Sequence, residues 1–464
     1  MESNEVNFSR KSFLAIAAIA TLTFIGVLTE TSMNVTFPAL MKTYDVDMNT
    51  VQWVTTGYLL TVALIMITSA FLKRRFKNSQ LFIAAAWLYI IGDLMCIFAP
   101  NFWLLLLGRI IQSGCVGISG PLMTNIMLEV VPRKKLGVYL GTGSLIILIA
   151  PAIGPSFGGL MVYLSDWRLI FWSTLPIALI ALVLGKKVIE QYSAVNSEIE
   201  FDWTRFAVLA VGIVSLILGL NLATGPNGVI KFAILFAVSI VLFIVFYYLS
   251  KNSTKALFNL NIFKDSIFTL SFFPYVFLQM SNIGINFLLP NYAQLVNHSS
   301  SLIGGLILLP GSLLNGFGQP FYGYLLDRFG GKLPLYLGNA LVAISMLVMM
   351  LLGVKMSIVT IVILYLIFSI GRSMAFGNTM TYGLKIMDSH LRNDANAIYN
   401  TGQQLAGSIG TTVMAALMTG IHLPTNTSVE NIGLGSQVAF GLVLVLTLVN
   451  FVVYARLFKV PSEV

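Results

Sequence analysis

The sequence predicts an all-α protein embedded in a lipid bilayer, with about fourteen spanning helices. Three observations carry that expectation. Apolar residues make up 57% of the 464 and charged residues only 10%, against about 25% charged in a soluble domain, so most of the surface is unsuited to water. Long apolar runs recur along nearly the whole chain, each sufficient for a helix of about 20 residues. Lys and Arg gather on alternate connections between the runs, as they do in cytoplasmic loops.

Taken in order, the runs lie near 12–38, 50–72, 79–99, 102–130, 137–163 and 168–186. The polar start, Met1 to Ser12, leads into an apolar run too long for a signal-peptide core and without a small-residue cleavage site, so the first run is expected to stay as a span. A charged linker, Lys187 to Arg205, precedes a pair of runs near 206–223 and 229–250, and a second linker, Lys251 to Asp265, follows. Six more runs lie near 267–290, 302–326, 333–353, 357–384, 395–420 and 436–458. This gives a first six-helix unit at 1–187, a linker with two additional helices at 188–265 and a second six-helix unit at 266–464, the internal repeat of many secondary transporters.

The basic residues test this division. Of 27 Lys and Arg, 21 fall on one side, from Arg10 and Lys11 through Lys73, Arg74, Arg75 and Lys77 to Arg456 and Lys459. Lys42, Arg168, Lys231 and Lys355 fall on the other, and Arg109 and Arg372 lie within runs. The asymmetry places both termini on the cytoplasmic side of a cell membrane. It also accounts for the net charge of +9 without a nucleic-acid partner.

A charge at bilayer depth costs about 2.5 kcal/mol or more, so each one is a candidate facing a cavity. Glu30, Asp93 and Arg109 all fall toward the end away from the basic loops, where they could meet. A carboxylate beside an arginine stays ionised, whereas one in apolar surroundings away from it exchanges a proton near neutrality. Glu30 is the first choice for proton coupling, helped by Asp93 and Arg109. The competing reading pairs Glu30 or Asp93 with Arg109 merely to lock helices together. Arg372 has no evident acidic partner and stays open between a substrate contact and a snorkelling side chain. Asn34, Tyr58, Asn378, Asn400 and Gln404 line a cavity or hydrogen-bond neighbouring helices. Glu129, just before Arg133 to Lys135, reads as an interfacial ion pair. Pro151, Gly154, Pro155, Gly158 and Gly159 make the fifth run either a pliable helix between moving bundles or a tightly packed one.

Chemistry in water finds little support. Cys96 and Cys115 lie in apolar runs without metal-ligand spacing, His298, His390 and His422 are scattered in loops, and no phosphate-cradling loop or metal cluster stands out. With no nucleotide-binding domain, an ion gradient takes the place of a cofactor.

Several stretches resemble the major facilitator superfamily, and within it the fourteen-span drug:proton antiporters. Ala150 to Gly159 resembles the fifth-helix antiporter motif, Gly108-Arg109-Ile-Ile-Gln112-Ser-Gly114 the fourth-helix arginine motif, and Gly323 to Lys332 the loop motif of the superfamily. Glu30 to Pro38 and Gln52 to Tyr58 resemble the signatures of the first and second helices. The resemblance implies two six-helix bundles rocking about a central cavity, plus two extra central helices, with drug export coupled to proton entry. By position, it implies that Arg109 influences proton transfer, that the Gly154/Pro155 region restricts leak, and that Gly323, Asp327, Arg328, Gly330 and Lys332 form a conformational latch. Three departures stand out: Arg74 and Lys77 replace the usual acid and glycine of the first-half loop, the first-helix acid falls at Glu30 instead of Thr29, and Arg372 occupies an expected apolar position.

The combined expectation is a monomeric, proton-coupled exporter of amphipathic, cationic or zwitterionic small molecules. An importer or a lipid exporter of the same fold is the alternative. A membrane-embedded transferase would need a His/Asp or metal constellation that the sequence does not offer.

Overall fold

The computed structural model describes residues 10–131, 133–191, 195, 200–223, 227–251, 260–387, 392–421, 423 and 426–460, with the side chains of 133–148, 260–261 and 392–394 excluded. His390, His422 and the basic side chains of 133–135 lie outside the described set.

Among the described residues, fourteen helices have 20 residues or more. The first eight are α1 (Arg10–Ser32), α2 (Trp53–Arg75), α3 (Asn78–Ile97), α4 (Phe102–Val130), α5 (Arg133–Leu164), α6 (Leu169–Val188), α7 (Trp203–Leu222) and α8 (Gly228–Ser250). The rest are α9 (Ser266–Leu295), α10 (Leu309–Phe329), α11 (Lys332–Leu352), α12 (Ile358–Ile386), α13 (Arg392–Gly420) and α14 (Ser428–Leu457). Among the described residues, twelve segments are long and apolar enough to cross a bilayer, where about fourteen were expected. The other two long helices are α5, whose described apolar part is Ile149–Leu164, and α13, which spends Gln403, Gln404, Ser408, Thr411 and Thr412 on a polar face.

Local chemistry sets the boundaries. The last run begins at Ser428, eight residues before the predicted edge, because Thr427 and Glu430 form a capping box: Thr427 Oγ1 accepts from Glu430 N at 3.3 Å and Glu430 Oε2 accepts from Thr427 N at 2.8 Å. Asn101, Asp202, Asp265 and Ser357 cap α4, α7, α9 and α12 with a single bond each, the side chain accepting from a backbone N–H of the first turn. The tenth predicted run divides into a short helix, Ser301–Leu306, and α10, which starts with Pro310 in its first turn. Basic residues occupy the last turns of α2, α6, α10, α12 and α14, where they complement the helix dipole and mark one end of the bundle as basic.

The core organises around α1 and α9. α1 packs against α4, α5 and α6, while α9 packs against α12, α13 and α14; the two groups meet where α2 touches α13 and where α5 touches α10 and Ser301–Leu306. α7 and α8 pair with each other, α7 packs against α13, and Leu209, Ile213 and Phe246 share an apolar cluster with Leu60 and Ile67 of α2. α8 is inverted relative to a helix in water: its buried residues are Gly228, Ser239, Phe246 and Ser250, while Val229, Ile230, Ile234, Phe236 and Ile244 are exposed. Only a lipid solvent makes that arrangement favourable.

Candidate functional site

The first-half charges are brought together by a close helix approach. A Cβ on Gly92 would sit 2.6 Å from Gly108 O and from Gln112 Cβ, so only glycine lets α3 and α4 touch at this level. Asp93, Arg109 and Gln112 are all fully buried there. Asp93 Oδ1 accepts from Gln112 Nε2, and Oδ2 accepts from Thr174 Oγ1 at 3.2 Å on α6. Gln112 Oε1 in turn accepts from Arg109 Nη1. The amide therefore bridges acid and base. The Arg109 guanidinium lies 4.2 Å from the Tyr58 ring centroid, a cation–π contact, and Tyr58 donates its hydroxyl proton to Gly26 O at 3.0 Å.

Glu30 lies one helical turn beyond Gly26 and feels the charge of Arg109. It is buried, with 7% of its surface open, and among the described residues it has neither a hydrogen bond nor an ion pair. The fixed pair weighed from sequence thus exists only between Asp93 and Arg109, indirectly. Gln112 and Thr174, which hold Asp93, were not singled out from sequence as acid partners; the arginine motif containing Gln112 was the available signal.

The other polar candidates separate. Asn34 is buried, its Oδ1 accepting from Thr55 Oγ1 at 3.0 Å, and Asn378 Nδ2 donates to Tyr322 O at 2.9 Å; both tie helices together. Asn400 is exposed and Gln404 half-buried. Arg372 is 5% exposed, donates from Nη2 to Gln279 Oε1 at 2.6 Å and lies 4.1 Å from the Phe376 ring centroid. Tyr275 stacks on Phe376 at 4.2 Å and donates to Gln403 Oε1 at 2.8 Å.

The glycines and prolines of α5 form a seam. Pro151 and Pro155 sit within an unbroken helix. A Cβ on Gly158 would lie 2.3 Å from Ser32 O, and one on Gly159 the same distance from Ser301 O. Ser32 Oγ donates to Gly154 O at 2.9 Å, and Ser156 Oγ to Gly305 O at 3.3 Å. Further bonds between the halves gather at this end, away from the basic loops: Asn291 Nδ2 to Asn34 O at 3.0 Å, Gln294 Nε2 to Val35 O at 2.9 Å, and Ser408 Oγ to Thr56 O at 3.1 Å.

At the basic end, Glu129 pairs with Lys73 at 2.8 Å, and Asp327 with Lys385 at 2.5 Å. Arg328 donates to Tyr324 Oη at 2.5 Å. Gly330 has a φ of +72°, a left-handed turn that favours glycine, and Lys332 begins α11. Gly323 has open space around it.

A sequence profile of the Major Facilitator Superfamily matches residues 19–411. The lincomycin resistance protein LmrB of Listeria innocua serovar 6a is 32% identical over 405 residues, covering 87% of this chain and 86% of that protein. LmrB of Bacillus subtilis (strain 168) is 32% identical over 401 residues, covering 85% and 83%. Among solved structures, a POT family transporter in complex with a thioalcohol-conjugated peptide superposes with a TM-score of 0.70 at 15% identity, covering 96% of both chains.

Proposed function

This chain belongs to the major facilitator superfamily and is a membrane transporter, and from that premise we propose that it is a proton-coupled antiporter exporting amphipathic cationic or zwitterionic drugs. The observation that carries the proposal is Glu30: a buried carboxylate that, among the described residues, is held in no hydrogen bond or ion pair, while the Arg109 guanidinium is tied through Gln112 to Asp93. Such a group is free to exchange a proton as the bundles tilt, whereas Asp93 is held by two donors. Relatives named for lincomycin resistance support efflux of an amphipathic amine.

In this reading α1 to α6 and α9 to α14 form the two rocking units, residues 1–187 and 266–464, and all fourteen long helices span. The 188–265 segment adds α7 and α8 on the lipid side. The basic end is cytoplasmic. The seam between α5, α1 and Ser301–Leu306 closes the opposite face, and the Lys73–Glu129 and Asp327–Lys385 pairs act at the basic end during switching. Protonation of Glu30 and binding of cargo exclude one another, so each turnover exchanges one for the other.

The test is accumulation of lincomycin by everted membrane vesicles with an imposed acid interior. Wild type should accumulate the drug, and Glu30→Gln should lose gradient-driven accumulation while reaching the membrane in normal amount. Full accumulation by Glu30→Gln, or none by wild type, would sink the proposal.

A further inference from the structure

The two halves carry one helix pair in the same register. Gly92 and Gly108 face each other across α3 and α4, and Gly338 and Gly371 face each other across α11 and α12, where a Cβ on either would lie 2.5 Å from the other's carbonyl oxygen. The residues that follow therefore correspond: Asp93 with Asn339, and Arg109 with Arg372. Three positions further on, Gln112 corresponds to Ala375. Even the outer contact repeats, since Asp93 meets Thr174 of α6 and Asn339 Nδ2 donates to Thr447 O of α14 at 2.8 Å.

The second half has thus kept the arginine and replaced both the acid and the bridging amide. Asn339 is engaged by Thr447 and by Asn450, whose Nδ2 donates to Asn339 Oδ1 at 3.4 Å. Arg372, halfway along α12, is left as a buried cation without an ion pair among the described residues. Its hydrogen bond goes to neutral Gln279, and its Nε has no partner. Leaving a buried charge uncompensated costs several kcal/mol, and a guanidinium fork matches a carboxylate in shape and charge.

We propose that Arg372 is an anion-receiving subsite that takes the carboxylate of the cargo, with Gln279 beside it and the stacked Tyr275 and Phe376 rings as the apolar wall. The favoured cargo is then an amphipathic zwitterion, its acid at Arg372 and its basic group toward the first-half acids. This rests on the reading of the chain as an exporter of amphipathic molecules.

A matched pair of dyes tests it: tetramethylrhodamine, a zwitterion with a free carboxylate, and its methyl ester, a cation of nearly the same size. Binding to the purified full-length protein is read by fluorescence anisotropy at equilibrium. No gradient is present, so the result is independent of proton-driven export. Wild type should bind the acid about tenfold more tightly than the ester, a difference worth one strong charge-assisted contact. Arg372→Gln should bring the ratio near one by weakening the acid alone. Gln279→Glu should do the same with Arg372 intact, because the new carboxylate is nearly isosteric and neutralises the guanidinium from within. An absent preference in wild type, whether both dyes bind alike or neither binds, overturns the proposal, as does a preference that survives Gln279→Glu.

Discussion

Gln112 accepts a hydrogen bond from Arg109 and gives one to Asp93, and the whole first-half cluster depends on that amide. Without it, an acid and a base remain in a site closed to water, each short of a partner. Gln112→Leu should therefore destabilise the protein by about 1.5–3 kcal/mol for each of the two hydrogen bonds to charged groups that it removes. Thermal unfolding of the purified protein measures this; Glu30→Gln, at a carboxylate with no hydrogen bond among the described residues, should leave the melting temperature nearly unchanged. Equal melting of Gln112→Leu and wild type would show that the bridge holds nothing. The sequence exposed Glu30, Asp93 and Arg109 because charges in apolar runs are conspicuous. It left Gln112 and Thr174 in the background, because a polar residue's neighbour on another helix cannot be read from one-dimensional spacing.

Among the elements, α5 shows how small residues become an interface. Gly158 has no room for a side chain against Ser32 O, while Gly323 has nothing within 4 Å. Gly158→Val should push α5 away from α1 and lower the export rate by about tenfold or more, the strain of overpacking a close contact being about 1–3 kcal/mol; Gly323→Ala should leave it nearly intact. Transport rates of the two variants at equal membrane level decide the matter, and equal rates would mean that the seam is not a working contact. The ion pairs at the basic end repeat with inverted polarity: α2 supplies the base and α4 the acid in one half, α10 the acid and α12 the base in the other. Lys73 and Glu129 are 16% and 20% exposed, against 55% and 68% for Lys385 and Asp327. The second pair is thus the solvent-screened one, worth about 0–1 kcal/mol, and is suited to breaking easily.

At the scale of the whole molecule, the bonds between the halves cluster at the end opposite the basic loops, so the structure is a form closed on that face. Alternating access requires that face to open. Thr56 and Thr412 bring their hydroxyl oxygens to 3.2 Å across it, close enough for a disulfide after substitution. A Thr56→Cys/Thr412→Cys protein, with Cys96 and Cys115 both replaced by Ala, should lose export on oxidation and regain it on reduction. Undiminished export in the cross-linked form would mean that this face does not open during transport.

The sequence alone determined the solvent, the helical class, the approximate edges and the polarity of the two ends, because burial in lipid demands long apolar runs and loop charge follows sidedness. Tertiary packing decided everything that depends on facing. It decided that Gln112 links Asp93 to Arg109, that Glu30 has no partner among the described residues, and that Arg372 repeats Arg109 with Asn339 in place of its acid. Those facts follow from which glycines let two helices touch, and helix contact is a property of three-dimensional register that no run of residues encodes by itself.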